Sequence, residues 1–245
     1  MSPGVVGLVV FACVYGGAAL GFALRRRIPP EHLDSDSRDV VKLSTGLIAT
    51  MSALVLGLLV ASAKSSYDQQ KDEITRLCAD VALIDRALAH YGPSGDEARA
   101  TLRGSVEQAF GELWKPTARP PSEAGEAFYE TIQKLEATNE KEQSIKGAVS
   151  QLTMEMGKTR WLMHAQSGHS IMTPLLVVVV FWLTIIFVSF GLYAPPNAVV
   201  RTALFVCAIS AASAIFLILE MDHPFTGLIR ISDQPLRDVL SRLGK

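Results

Sequence analysis

Few residues of this chain have the types and spacing that catalysis or metal binding requires. His164 and His169 lie five residues apart beside an apolar run, without nearby carboxylates at metal-ligand spacing. The segment MGKTR, Met156–Arg160, resembles the end of a phosphate-binding loop, but that motif needs a glycine where the chain has Leu152. We therefore predict that the protein is not an enzyme and that it holds no metal and no cofactor.

A denser group of polar residues follows the last apolar run, in the stretch LEMDHPFTG. Its distinctive members are Glu220, Asp222, His223, Pro224, Phe225 and Gly227. Two acids beside a histidine could form a polar site at a membrane surface, but too few other groups converge there to favour catalysis. Because Pro224 disfavours further helix, the stretch is also explained as the end of a membrane helix. We favour a structural joint, in which Phe225 packs the tail back and Gly227 releases the turn.

The second apolar run carries two rows of residues on different faces of a predicted helix. One is the small row, which recurs every four residues and lets a neighbouring backbone approach closely: Ala49, Ala53, Gly57 and Ala61. The other is the hydroxyl row, which recurs every seven residues and has Ser62 beside it: Thr45, Ser52, Leu59 and Ser66. A helix divided in this way suits the wall of a pore in an oligomer, and Val55 is a further candidate for its lining. The alternative is that the hydroxyls bond to carbonyls of their own helix inside a packed bundle.

The elements that must position these residues are apolar helices. Hydrophobic residues make up 49% of the 245 residues, and they are concentrated in four runs near the roughly 20 residues that a membrane-spanning helix needs. The runs are Val5–Leu24, Leu43–Ala63, Pro174–Leu192 and Thr202–Leu219, and none contains a charged residue. Proton relays and charge-coupled carriers use charged groups inside the membrane, so a passive path is favoured over a pump.

The order of the runs predicts an all-α membrane protein with four transmembrane helices in two hairpins. We expect a first hairpin over 1–63, a helical extramembrane module over 64–170, a second hairpin over 171–219 and a tail over 220–245 that packs on the module. Within the module, apolar residues from Tyr67 to Tyr91 alternate at intervals of three and four, which is the spacing of a coiled-coil seam. A second helix ends near Leu113, and a third is predicted from Phe128 through Leu152.

Charge and cysteine content exclude several classes of protein. The net charge of about −1 provides no basic field for nucleic acid, so we expect no DNA or RNA partner. Cys13 and Cys207 lie in apolar runs and Cys78 lies in the polar region, so no disulfide pair is indicated. The partners that the sequence predicts are the lipid bilayer, further copies of the chain and small ions.

Two sets of basic residues predict opposite orientations in the membrane. Arg25, Arg26 and Arg27 follow the first run and place that loop in the cytoplasm, with the module outside. The tail and the flanks of the module also carry basic residues, and these place the module in the cytoplasm. The sequence supports both orientations of the module.

Three segments together resemble a bacterial membrane family called bestrophin-like: RRRIPPEHLDSDSRDV before the second run, SSYDQQKDEITRLCADVALIDRAL after it, and LEMDHPFTGLIRISDQPLRDVLSRL after the fourth. The resemblance covers nearly the whole chain. Its most specific part is the combination of Asp222, His223, Pro224, Phe225 and Gly227. It implies a multi-pass protein of the bacterial inner membrane.

Bestrophins are pentameric anion channels whose second membrane helix lines the pore, and they carry a Pro-Phe-Gly element after the last span. The resemblance implies a homo-oligomeric channel for small anions, a pentamer by analogy, with a pore helix from Thr45 to Ser66 and a cytoplasmic module. The second run has no aromatic residue for a bestrophin-like neck, and Thr226 interrupts the Pro-Phe-Gly element. Because Ca²⁺ needs about six to eight oxygen ligands and only Asp233 follows closely, we expect no calcium clasp. The alternative function is a non-conducting membrane sensor or scaffold that signals through the module.

Overall fold

The computed structural model of the protein describes residues 2–29, 35–113, 124–166, 173–225 and 227–244. Across these ranges the chain forms helices, turns and coil without a strand, which confirms the all-α prediction. The helices are α1 (Pro3–Arg25), α2 (Ser35–Ala89), α3 (Gly95–Leu113), α4 (Ala124–Lys134), α5 (Glu140–Gln166), α6 (Thr173–Tyr193), α7 (Ala198–Met221) and α8 (Gln234–Arg242).

Four of these helices are long and apolar enough to cross a membrane, as the sequence predicts: α1, α2, α6 and α7. Their ends follow from local chemistry. Pro3 occupies the first turn of α1, where its missing N–H costs no hydrogen bond. The side chain of Asn197 accepts a hydrogen bond of 2.9 Å from the Val200 N–H at the start of α7. Four such helices indicate a multi-pass membrane protein.

The chain divides into two compact units. The first contains Met1–Ser66 and Ser170–Asp222, and the second contains Tyr67–His169 and His223–Lys245. Helix α2 therefore contributes its apolar part to the first unit and its polar part to the second. The four apolar segments all belong to the first unit.

Helix α1 packs against α6 and α7 in the first unit. Its tightest contact is a crossing with α6 at which glycines replace side chains. A Cβ atom placed on Gly21 would lie 2.2 Å from the Val188 carbonyl oxygen, and one placed on Gly191 would lie 2.2 Å from the Ala18 carbonyl oxygen. Only glycine permits backbones to approach this closely, so Gly21 and Gly191 fix the distance between the two helices.

The second unit has its own apolar core. Its side chains come from the segment of α2 after Ser66 and from α3, α4, α5 and α8. Most of the predicted seam is buried there: Ile74, Leu77, Val81, Ile84, Leu88 and Tyr91. Asp85 and Arg99 join α2 to α3 through a largely buried bidentate ion pair, with N–H···O distances of 2.9 and 3.0 Å. The hydrogen bond to Asp85 is the main reason that the pKa of Arg99 is raised.

The prediction of one helix from Phe128 through Leu152 was wrong, because the chain forms α4 and α5 with a break between them. Asn139 caps α5 by accepting a hydrogen bond of 2.8 Å from the Glu142 N–H. In return, the Glu142 carboxylate accepts hydrogen bonds from the backbone N–H of Asn139 and, at 2.7 Å, from that of Thr138. This reciprocal pattern is a capping box, which starts a new helix. The hydrogen bonds that the Glu142 carboxylate accepts, led by that from the Thr138 N–H, lower its pKa.

Candidate functional site

Most of the predicted hydroxyl row lies inside the first unit. Thr45, Ser52 and Leu59 are buried, and Ser52 is only 4% exposed. The Ser52 hydroxyl donates a hydrogen bond of 2.8 Å to the carbonyl of Ile48, one turn earlier in the same helix. This is the arrangement that the packed-bundle alternative predicts for these hydroxyls.

The remaining pore-lining candidates have mixed environments. Leu59 belongs to a small apolar cluster with Ala63, Val179 of α6 and Ile218 of α7, and Val55 is half-buried beside it. Ser66 is half-buried, whereas Ser62 is exposed. Buried side chains cannot border a path between subunits. Of the six predicted pore-lining residues, Ser62 alone is fully exposed in this conformation.

The opposite face of α2 is exposed and strongly apolar. We call this face the outward row, and it consists of Leu43, Leu47, Leu54 and Leu58. Leu54 is 75% exposed. Successive helical residues are separated by about 100°, so Leu54 points about 200° away from Ser52. The exposed small row, represented by Ala53 and Gly57, lies about a quarter-turn from the outward row.

Among the four apolar helices, α2 buries the smallest share of its most hydrophobic window. That share is 17% for α2, against 33% for α1, 22% for α6 and 28% for α7. The apolar part of α2 therefore presents the largest fraction of unburied membrane surface for lipid, another subunit or a path.

The stretch Glu220–Gly227 is divided between the two units, since the boundary falls after Asp222. In the first unit, α7 ends at Met221 and Glu220 is buried. The Asp222 N–H donates a hydrogen bond of 3.3 Å to the Ile218 carbonyl. The two acids therefore lie at a helix end.

The second half of the stretch belongs to the second unit. Phe225 is half-buried and packs against the apolar core that contains Leu236 and Leu243 of the tail. Gly227 has φ of 108°, a left-handed conformation that favours glycine. The Pro224 carbonyl accepts a hydrogen bond of 2.8 Å from the Ile231 N–H, which closes the turn. These contacts hold the described part of the stretch in a turn.

Groups suited to metal binding or catalysis are sparse in the described ranges. No cluster of three or more His, Cys, Asp or Glu residues there could hold a metal ion. The side chain of His164 and the whole of His169 lie outside those ranges. Burial raises the pKa of the Cys78 thiol, which keeps it protonated and unreactive. Burial and the nearby Glu155 raise the pKa of Asp80, against an opposing effect of Arg76.

The family of this chain is known from a match to one family model. A family model described as "Bestrophin-like domain" matches residues 12–236. The chain belongs to the bestrophin-like family. The match includes the second half of α1, the other three apolar helices and the stretch Glu220–Gly227, on which the resemblance was based. No curated protein and no solved structure shows a significant match to the chain.

Two features of this bestrophin-like chain were missed by the sequence reasoning. The first is the outward row, whose signal is the clustering of Leu47, Leu54 and Leu58 on one helical face. The second lies at the C-terminus of α6, where Arg25 donates to the Ala194 carbonyl and Arg38 donates to the Tyr193 carbonyl at 2.7 Å. Basic side chains favourably cap helix C-termini, but their distance in the sequence from α6 concealed this role.

Proposed function

We propose that this bestrophin-like protein is a homo-oligomeric channel that passes small anions along a path lined by α2. The observation that carries the proposal is the large unburied apolar surface of α2, the least buried of the four apolar helices. Membership of the family supports a channel, and the pentameric state is taken by analogy with bestrophins. The proposed location is the inner membrane of a bacterium.

The proposed lining is the outward row rather than the hydroxyl row. In a ring of α2 helices, each helix needs one face toward the axis and one flank toward its neighbour. Ala53 and Gly57 of the small row lie about a quarter-turn from the outward row, so these two residues can meet a neighbouring helix while Leu54 and Leu58 point toward the axis. Ala49, the first residue of the row, lines a groove beside α6 instead. Leucine side chains at a narrow point can gate ions by excluding water.

The proposed topology has two transmembrane hairpins, α1 with the apolar part of α2 and α6 with α7. The helical module between them and the tail lie on one side of the membrane. Phe225 supports this arrangement, since it packs in the same apolar core as Leu236 of the tail and Ile132 of the module.

The sensor or scaffold alternative has less support. It requires the α2 seam of the module to bind a partner or to transmit a signal. Ile74, Val81 and Leu88 of that seam are buried in the core of the second unit. A partner could reach them only if that core opened.

Cysteine accessibility in proteoliposomes tests the lining. In protein whose three native cysteines are replaced, Leu54→Cys and Ser52→Cys variants are compared for halide flux before and after treatment with a charged methanethiosulfonate. We expect the reagent to reduce flux strongly through Leu54→Cys, because a charge there would enter the path. Ser52→Cys is the control of matched depth, and its flux should not change.

Two results would contradict the proposal. Absence of flux from the cysteine-free protein under varied voltage, pH and calcium would refute a channel. Block through Ser52→Cys but not through Leu54→Cys would restore the hydroxyl row as the lining and would require a conformation different from the present one.

A further inference from the structure

A groove in the first unit lies between the beginning of α2 and the end of α6. Its volume is about 380 Å³. The residues that line it come from these two helices and the turn after α6, and they include Arg38, Lys42, Gly46, Ala49, Phe190 and Tyr193. The groove therefore extends from the charged end of two apolar helices into the part that would cross the membrane.

The outer end of the groove is basic. The Arg38 guanidinium donates a hydrogen bond of 2.7 Å to the Tyr193 carbonyl and lies 6.0 Å from the centre of the Tyr193 ring. These contacts hold the cation at the edge of the groove. The guanidinium has more N–H groups than the one Tyr193 carbonyl can accept from. Lys42 lies one helical turn further along, and its ammonium is 3.3 Å from Asp39 in an exposed pair. Arg25 adds a third cation through its hydrogen bond to the Ala194 carbonyl.

The inner end of the groove is apolar. Ala49 and Gly46 form one wall without bulky side chains, and Phe190 forms part of the other. The Ser189 hydroxyl is already donated to the Ile185 carbonyl at 3.0 Å, so it does not make this end strongly polar. A ligand that fits both ends must carry an anionic group and a hydrocarbon chain.

We propose that the groove binds an acidic phospholipid, with its phosphate at Arg38 and Lys42 and one acyl chain along Ala49 and Phe190. Among the side chains that the structure describes, three cations against Asp39 give the outer end a net positive charge, which complements an anionic headgroup. A free phosphate would leave the apolar end unoccupied, and a second subunit would have to present an acid beside an apolar side chain. The proposed site does not depend on ion conduction by the protein.

Lipid titration of the purified full-length protein tests the site. Detergent-solubilised protein is titrated with dioleoylphosphatidylglycerol, and bound lipid is counted by native mass spectrometry. Each cation near an anionic surface contributes about a fivefold change in affinity, so Arg38→Gln with Lys42→Gln should weaken the tightest binding about 25-fold. The charge control is Arg201→Gln, an exposed cation of α7 outside the groove, which should leave this binding unchanged.

A second pair of variants tests the apolar end. Ala49→Phe should fill the wall and weaken the same binding, whereas Ala203→Phe, at an exposed position of α7, should not. Dioleoylphosphatidylcholine should bind the wild-type protein more weakly than the acidic lipid. Inorganic phosphate should compete poorly, because it has no chain for the apolar wall.

The following results would overturn the proposal. Equal binding of both lipids, or no loss in the Arg38 and Lys42 double variant, would exclude an acidic-lipid site here. Full competition by inorganic phosphate would indicate a simple anion site. A crosslink between Ala49→Cys and a second subunit would show that protein, not lipid, covers the groove.

Discussion

The crossing of α1 and α6 provides the sharpest prediction about stability. Replacing Gly21 with alanine adds one carbon atom, which would lie 2.2 Å from the Val188 carbonyl oxygen and 2.9 Å from the Gly191 Cα. Both neighbours are backbone atoms, so no side-chain rotation can relieve the contact. Because non-bonded carbon contacts need about 3.5 Å, the two helices must move apart by about 1 Å.

The expected size of the effect is the difference between two terms. Overpacking of this kind costs about 1–3 kcal/mol, whereas replacing a helical glycine with alanine gains about 0.5–1 kcal/mol through reduced backbone entropy. We therefore expect Gly21→Ala to lower the free energy of unfolding by up to about 2 kcal/mol. Gly16→Ala on the same helix is the matched control, because a Cβ there meets nothing within 4 Å and only the gain applies.

Reversible unfolding in mixed micelles, followed by helical circular dichroism as dodecyl sulfate is added, measures both variants. Gly191→Ala should be destabilising for the same reason as Gly21→Ala. The double variant should cost less than the sum of the two single variants, because one separation of the helices relieves both contacts. If Gly21→Ala proved as stable as Gly16→Ala, the close crossing would be refuted.

The remaining predictions concern the second unit. Asp85→Asn should lower the free energy of unfolding by about 3 kcal/mol, because the largely buried Arg99 would lose its bidentate ion pair. Thermal unfolding checks this, and an unchanged melting temperature would contradict it. Phe225→Ala should cost about 2 kcal/mol and reduce oligomer yield in detergent, whereas Leu228→Ala, at a position 81% exposed, should change neither. Burial raises the folded-state pKa of Asp80 above its unfolded value, so its charged form destabilises the fold. Asp80→Asn should therefore raise the melting temperature at pH 7, with the gain vanishing below about pH 4; a gain that persists in acid would disprove the assigned cause.

The sequence predicted the elements better than it predicted their faces. Apolar runs of membrane length identify helices directly, because crossing hydrocarbon requires both the length and the absence of charge. The assignment of α2 faces was harder. Spacing separated Ser52 from the small row. It could not reveal that Ser52 is buried while Leu54 remains exposed, because burial depends on the packing of other helices.

Two further misses have different origins. The break between α4 and α5 depends on the capping box formed by Asn139 and Glu142, a local signal that the predicted helix overlooked. The basic groove depends on contacts between Arg38 and Tyr193, which are 155 residues apart in the chain. Sequence patterns describe neighbours along one helix, whereas such contacts arise only when separate helices pack.

The central claim is that α2 lines an ion path with its outward row. Distances between equivalent Cα atoms of neighbouring subunits test it most directly. The structure of the oligomer in lipid nanodiscs gives the separation between equivalent Cα atoms of neighbouring subunits at positions 54 and 52. If the outward row lines the ion path, Leu54 lies closer to the symmetry axis than Ser52, and α2 surrounds a continuous opening. An axis surrounded by α1 or α7, with Leu54 facing lipid, would contradict a channel lined by α2.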